Sequence, residues 1–338
     1  MQDIIIRVTH LGVGKMSNYV VTGCAGLIGS NVSRILISQG HSVIGIDSLD
    51  KSCDIRLKEW RLSQILKNAN FDFQVTDICD LKKLKHIFND KIEGVINLAA
   101  RAGVRGSVKD PWDYYQTNVI GTINLLELCK EFNIPKFVLA STSSLYGESN
   151  KQPFAETQDT NFPLSPYSAS KKAAETICYT YHHLYNIDIS IPRYFTVYGP
   201  AGRPDMAIFK FIQWISEGSP ISLFGDGEQT RDFTYVDDIA SGTVLSLKPM
   251  GFQIINLGSD KPISVNDCIS LIENNLDKPA ETTYHPSHPA DVRHTWADIS
   301  KAKELLAWEP RTDIKDGIKQ TVNWYIENQD WARTIELG

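Results

Sequence analysis

The sequence predicts an α/β protein: a doubly wound parallel sheet with a smaller mixed C-terminal domain. Two observations lead there. Short apolar or β-branched runs alternate with helical segments over residues 18–191, and repeated strand–helix units pair as a parallel sheet with ligands at the carboxyl ends of its strands. Past Thr196 the rhythm breaks: residues 199–205 are rich in turn formers, and shorter elements follow. A chain of 338 residues, 42% hydrophobic and 22% charged, suffices for one large domain or two moderate ones.

In chain order, residues 1–15 stand apart. They read as an extension ahead of Met16, dispensable for activity, or as an extra strand, since Ile4-Ile5-Ile6 has strand composition. The first expected strand, Tyr19-Val20-Val21-Thr22, runs into Gly23-Cys24-Ala25-Gly26-Leu27-Ile28-Gly29. This G-x-x-G-x-x-G spacing offers a tight turn, close backbone approach to a pyrophosphate, and a helix N-terminus aimed at it. Val32, Ile35 and Leu36 supply the helical stripe. A second strand, Ser42-Val43-Ile44-Gly45-Ile46, ends at Asp47, where an acid pairs with an adenosine ribose 2′-OH and repels a 2′-phosphate. NAD is therefore expected over NADP.

Further strands lead to Asp77, to Ala99-Ala100 after Leu98, and to Ser141-Thr142-Ser143-Ser144, with a long helix over residues 113–132. Another, Asp188-Ile189-Ser190-Ile191, reaches Arg193-Tyr194-Phe195-Thr196, and Ile254-Ile255-Asn256-Leu257 returns to the main sheet. The expected division is residues 16–195 with roughly 234–260 for the dinucleotide, and 196–233 with 261–338 for the second ligand.

Tyr167-Ser168-Ala169-Ser170-Lys171 is the chemical centre. Ser165 fits an N-cap, Pro166 the first helical position, and Ala169, Ala173, Ile177, Tyr181 and Leu184 an apolar stripe. Residues four apart share a helix face, so the Lys171 ammonium lies beside the Tyr167 phenol and lowers its pKa toward that of a usable general base. Standing alone, Tyr-x-x-x-Lys occurs by chance.

Composition narrows the classes. A formal net charge of -6 argues against a nucleic-acid backbone as partner. The six cysteines form no C-x-x-C pair and read as reduced thiols of a cytoplasmic protein. No apolar run is long enough to span a membrane, and residues 1–15 do not read as a signal peptide. His285 and His288 have no companions at zinc-ligand spacing and read as loop residues, so no metal is expected.

Taken together, Gly23, Gly26, Gly29, Asp47, Asp77, Ala99-Ala100, Asn118, Thr142, Tyr167 and Lys171 resemble the extended short-chain dehydrogenase/reductases, which have a Rossmann sheet. Longer matches, Ala102-Gly103-Val104-Arg105, residues 141–147, 193–200, 202–206 and 231–238, are most similar to UDP-glucuronate 4-epimerases within the nucleotide-sugar epimerase branch. The resemblance covers nearly the whole chain from Met16. It implies NAD held by the glycine turn with Leu27 and Ile28, by Asp47, Asp77, Ile78, Leu98, Ala99, Ala100, Asn118 and Tyr194, and by Tyr167 and Lys171. It implies Tyr167 as the base for a sugar 4-OH, Thr142 holding that oxygen, and Lys171 assisting. Two positions depart from the pattern: Asn97, often His in the family, and Arg101, often Gln or another uncharged residue.

For the UDP-sugar, the resemblance implies contacts from Thr142, Thr196, Arg231 and Asp291. Ser143 and Ser144 stand where related dehydratases carry Asp-Glu and decarboxylases a Glu at the second position. Neutral hydroxyls there can bond a substrate carboxylate, or else merely satisfy backbone groups at a strand end. Arg203 is the favoured partner for that carboxylate and Arg105 the runner-up, because a guanidinium fork matches a carboxylate. For Arg231 the alternative is a salt bridge to Asp232 or Asp237. The expected reaction is 4-epimerisation of UDP-glucuronate to UDP-galacturonate through a 4-keto sugar. The alternatives are UDP-glucose/UDP-galactose epimerisation, UDP-glucuronate decarboxylation and, more distantly, a non-catalytic dinucleotide-binding sensor. The family's two-fold four-helix bundle implies a homodimer through residues 113–132 and 167–185.

Overall fold

A computed structural model describes residues 16–148, 151–286 and 292–337. The extension 1–15 with its alternative strand, His288 and Asp291 all lie outside the described residues.

The strands are β1 (Asn18–Thr22), β2 (Ser42–Asp47), β3 (Phe71–Val75), β4 (Ile92–Asn97), β5 (Lys136–Leu139), β6 (Ser141–Thr142), β7 (Asp188–Tyr194), β8 (Thr196–Tyr198), β9 (Ile221–Phe224), β10 (Thr230–Arg231), β11 (Phe233–Tyr235), β12 (Phe252–Leu257), β13 (Ile263–Ser264) and β14 (Thr282–His285). The main sheet runs β12-β7-β5-β4-β1-β2-β3, with β6 beside the end of β7. Its pairings are parallel. A parallel sheet is covered on both faces, so its strands are apolar at successive positions. Val20, Val95 and Phe137 belong to the core on one face, and Val21, Ile96 and Val138 to the core on the other.

The chain winds from β1 to β2 and β3, then crosses back to β4 on the other side of β1. The strand order therefore reverses between β1 and β4, which opens a crevice at their carboxyl ends. Helices α1 (Leu27–Ser38), α2 (Ile55–Ser63) and α3 (Leu81–Ile87) link the first four strands. After β4 come α4 (Val104–Lys109), α5 (Pro111–Tyr115), a π-helical turn (Gln116–Ile120) and α6 (Gly121–Glu131). The expected helix over 113–132 is thus interrupted by a π turn, which carries Asn118.

Helix α7 (Pro166–Tyr185) starts as the sequence suggests: the Ser165 side chain accepts from the Ser168 amide, and Pro166 is the first helical residue. Its buried face differs from the expected stripe. Ser168, Ser170, Lys171, Ala174, Glu175 and Cys178 point inward, whereas Leu184 is 60% exposed. The physical reason is polar satisfaction. Ser170 meets Asn118, Lys171 meets the Ala140 carbonyl, and Glu175 meets Arg193.

The C-terminal part packs α8 (Ala207–Glu217), α10 (Val265–Leu276) and α12 (Ile314–Glu327) around Phe209, Ile212, Ile269, Trp324 and Tyr325, with α11 (Ser300–Leu306) preceding the last of these helices in the chain. Between them the chain returns to the main sheet through α9 (Val236–Leu245), whose Ala240 and Val244 pack with Val32 and Leu36 of α1. Strand β12 then pairs with β7, as expected for residues 254–257. His285 ends β14, paired in parallel with β9, and so is not a loop residue.

Candidate active site

The crevice holds a cavity of about 570 Å³, lined from the carboxyl ends of β1, β2, β4 and β5 and from the start of α7. Its floor is the glycine turn. Gly23 has φ +66, and a Cβ there would stand 2.7 Å from the Ala99 nitrogen. A Cβ on Gly29 would stand 2.1 Å from the Gly23 carbonyl. The turn is therefore pressed against the β4 end and the α1 N-terminus, a cradle that a side chain would fill. Leu27, Ile28, Ile78, Leu98, Ala99 and Ala100 line the same space.

Asp47 closes β2 at the cavity edge. Its carboxylate accepts from the Ala25 amide at 3.2 Å and the Leu49 amide at 2.9 Å. Lys58 Nζ reaches it at 3.3 Å and reaches Asp50 at 2.8 Å. Asp47 thus lines the cavity with part of its charge offset by a buried lysine. Asp77 also lines the cavity and accepts from the Cys79 amide at 2.8 Å.

Across the floor, Thr142, Tyr167 and Lys171 face the glycine turn within this cavity. Thr142 caps a short 3₁₀ turn (Ser143–Leu145) by accepting from the Ser144 amide. Tyr114 packs edge-on to Tyr167, with ring centroids 6.2 Å apart. The Tyr167 phenol is raised above its ordinary pKa, opposite to the expected direction. Burial outweighs a hydrogen bond with Thr142 and the charge of Arg203, which act to lower it. Burial also lowers Lys171, to about 8, against the attraction of Glu175. Its Nζ donates to the Ala140 carbonyl at 3.1 Å. Lys171 thus stands over a buried ion pair: Glu175 takes both arms of Arg193 at 2.9 and 2.7 Å and the Ser141 hydroxyl at 2.6 Å.

Ser143, Ser144, Thr196 and Arg203 line the cavity beside this group. Thr142 Oγ1 lies 3.1 Å from Ser144 Oγ. Arg203 is held by Asp205 through Nε at 3.0 Å and Nη2 at 2.5 Å. Burial would raise Asp205, but Arg203 outweighs it and holds the carboxyl below its usual range. Tyr194 lines the cavity with its hydroxyl 2.8 Å from Thr243 Oγ1.

Three expected residues lie off the cavity lining. Asn118 is buried behind it. Its Oδ1 accepts from the Arg101 amide at 2.9 Å, and its Nδ2 donates to the Arg101 carbonyl at 3.0 Å and to Ser170 Oγ at 2.9 Å. Arg105 lays its guanidinium 4.4 Å from the centre of the Phe224 ring. Arg231 donates to the Thr230 and Arg293 carbonyls, each at 2.9 Å. Asp237 pairs with Arg34 at 2.8 Å, and the Asp232 carboxylate accepts from the amides of Ser259, Asp260 and Ala297.

Sequence reasoning missed Asp50, Lys58, Tyr114 and Asp205, all on the cavity wall. Asp205 was within reach, two residues from Arg203; the others had no local signal. The departures are now placed. Asn97 accepts from Thr22 Oγ1 at 2.7 Å and donates to Thr122 Oγ1 at 3.1 Å, tying β1 to β4 and α6. Arg101 lines the cavity, with Nη1 2.6 Å from Asp50 Oδ2 and Nη2 3.4 Å from Asp113 Oδ2.

Known proteins are similar to this chain in sequence and in fold. Residues 20–321 match the family model described as GDP-mannose 4,6 dehydratase. The chain is 54% identical over 324 residues to a UDP-glucuronate 4-epimerase of Thermodesulfobacterium geofontis, covering 95% of this chain and 100% of that protein. Among solved structures, the UDP-glucuronic acid 4-epimerase of Bacillus cereus, in complex with UDP-glucuronic acid and NAD, superposes with a TM-score of 0.86. It is 39% identical, over 92% of this chain and 99% of that one. A UDP-glucose 4-epimerase of Thermotoga maritima with UDP-glucose gives a TM-score of 0.85 at 33% identity, over 92% of this chain and 99% of that one.

Proposed function

The chain belongs to the extended short-chain dehydrogenase/reductase family, among the relatives matched by the GDP-mannose 4,6 dehydratase model, and from that premise we propose that it is an NAD-dependent UDP-glucuronate 4-epimerase. One observation carries the reading. The Thr142–Tyr167–Lys171 group shares its cavity with the neutral Ser143 and Ser144 and with Arg203, and neither position after Thr142 is a carboxylate. A carboxylate there would repel an anionic sugar; hydroxyls and a guanidinium accept it.

The close-packed glycines at Gly23 and Gly29 support a pyrophosphate seat, and the position of Asp47 at the end of β2 on the cavity lining supports a contact with the adenosine ribose. When bound, NAD supplies reversible hydride exchange at the sugar C4. The chain's own residues handle the proton. Tyr167 takes it from the 4-OH and returns it, with Thr142 holding the same oxygen. Lys171, whose Nζ donates to the Ala140 carbonyl, would supply the positive charge that favours the phenolate when the dinucleotide and sugar are bound. Ser143 and Ser144 hold the sugar carboxylate, with Arg203 turned from Asp205 to share it. In this reading residues 16–195 with roughly 234–260 carry the dinucleotide, and 196–233 with 261–338 the UDP-sugar, including Thr196, Arg231 and Asp291.

The decisive experiment incubates the protein with UDP-glucuronate and looks for UDP-galacturonate. UDP-pentose instead would make it a decarboxylase. A second reading, UDP-glucose 4-epimerase, has its own support, because the Arg203–Asp205 pair offsets the charge that an anionic sugar would need.

The proposed assembly is a homodimer. Tyr115, Ile120, Tyr179, Leu184 and Tyr185, from the α5–α6 stretch and α7, are 38% to 60% exposed, and an apolar face of this kind is what a two-fold helix bundle buries. Light scattering at micromolar concentration tests it. The described residues hold no helix long and apolar enough to cross a membrane. The cysteines are free thiols, in keeping with a cytoplasmic setting.

A further inference from the structure

Asp50 and Arg101 make an ion pair that no step of the proposed reaction uses. Asp50 lies in the loop after β2, and Arg101 in the loop after β4. In the sheet, β1 lies between those two strands. Strands one place removed are two spacings apart, about 9–10 Å. A contact of 2.6 Å between the loops therefore crosses the end of β1, where the glycine turn forms the cavity floor.

Both halves of the crossing are anchored. The Asp50 carboxylate also holds Lys58 Nζ at 2.8 Å and Ser52 Oγ at 2.7 Å. The Arg101 backbone is gripped at both its amide and its carbonyl by buried Asn118, and its guanidinium leans on Asp113 at 3.4 Å. Arg101 and Asp50 side chains are 26% and 29% exposed, so the pair sits at the mouth of the cavity, in contact with solvent. Asp50 is held below its usual carboxylate range, because Lys58, Ser52 and Arg101 outweigh its burial.

We propose that Asp50 and Arg101 form a strap across the cofactor crevice that retains the dinucleotide between turnovers. The proposal rests on the reading that NAD occupies this crevice. An epimerase regenerates its cofactor in every cycle, so a slow exit costs the reaction nothing. With the strap closed, a dinucleotide seated on the glycine turn cannot leave until the ion pair parts. The two residues act on release by closing the crevice, and neither needs to touch the reacting atoms.

The test loads the full-length protein with NADH and measures its release by fluorescence on adding excess NAD+. Arg101→Gln and Asp50→Asn each speed release about two- to fivefold, the range of an ion pair at this exposure. The double variant releases no faster than the faster single one, since each substitution opens the same strap. Arg101→Lys keeps the charge and restores slow release. Raising the ionic strength speeds release from the wild type and leaves the Arg101→Gln rate unchanged. Release rates unaltered by both single substitutions, or a double variant whose effect is the product of the two, overturn the strap. A wild type that binds no NADH overturns the cofactor reading and the strap together, whereas normal binding with unaltered release overturns the strap alone.

Discussion

Replacing Lys171 by Met should stabilise the cofactor-free protein while destroying its activity. The Lys171 side chain is 4% exposed and lies against the Ala140 carbonyl. Burial takes its pKa from the ordinary 10.5 to about 8. That displacement is a cost to folding on the order of 3 kcal/mol at neutral pH. Met removes the cost and leaves the Ala140 carbonyl without its donor, which returns about 1 kcal/mol. The net gain is about 2 kcal/mol. With an unfolding entropy of roughly 2.1 cal/mol/K per residue, the melting temperature rises by about 3 °C.

The pH dependence gives the sign. Below pH 8 the ammonium is charged in both states, and the folded protein bears the full cost. Between about 8 and 10.5 the unfolded chain keeps a proton that the folded one has released, so wild-type stability climbs with pH. Above that window the cost is gone. Thermal melts of dinucleotide-free protein from pH 6.5 to 10 should show Lys171→Met ahead of wild type at pH 7 and the lead shrinking through the window. A variant that melts below wild type at pH 7, or a lead that does not change with pH, refutes the reasoning.

Tyr167→Phe should lower turnover by about 10²–10⁴-fold while UDP-sugar binding survives, read by steady-state kinetics and calorimetry; turnover within a few-fold of wild type removes the phenol from its role. Arg203→Ala should lower kcat/KM for UDP-glucuronate about one to two powers of ten more than for UDP-glucose, the value of one charge-assisted hydrogen bond. Equal losses on the two substrates would take the carboxylate away from Arg203. Glu175→Gln should cost about 3–5 kcal/mol, because it leaves the Arg193 guanidinium buried without its carboxylate. The melting temperature should then fall by about 4–7 °C, and a fall of under one degree would mean that the pair contributes little.

Much of the site was legible because its signals are local. The glycine turn is a backbone demand expressed within seven residues, and the structure shows it as a positive φ at Gly23 and a Cβ-free contact at Gly29. Asp47 follows from strand-end position, and the Tyr167–Lys171 spacing follows from helix period. The parallel sheet was legible too, since strands covered on both faces must be apolar at successive positions. The family resemblance named the residues but could not place all of them. Asn118 grips the Arg101 backbone from behind the cavity, while Arg105 rests on Phe224 and Arg231 on two carbonyls.

What tertiary structure decided is which charges meet. Arg101 finds Asp50 across β1, Glu175 on α7 finds Arg193 on β7, and Lys58 divides itself between Asp47 and Asp50. The same cause turned α7 away from its apolar stripe, because hydrophobicity counts side chains one at a time, whereas a buried ion or hydroxyl must find its partner across space. It also raised Tyr167 where spacing alone suggests lowering. Helix period predicts a lysine beside the phenol, but Lys171 turns its Nζ to the Ala140 carbonyl. The groups that lower the phenol are Thr142 and Arg203, and burial in the packed cavity outweighs them both. Periodicity and backbone geometry are written along the chain. Desolvation and charge pairing depend on residues that the chain brings together only when it folds.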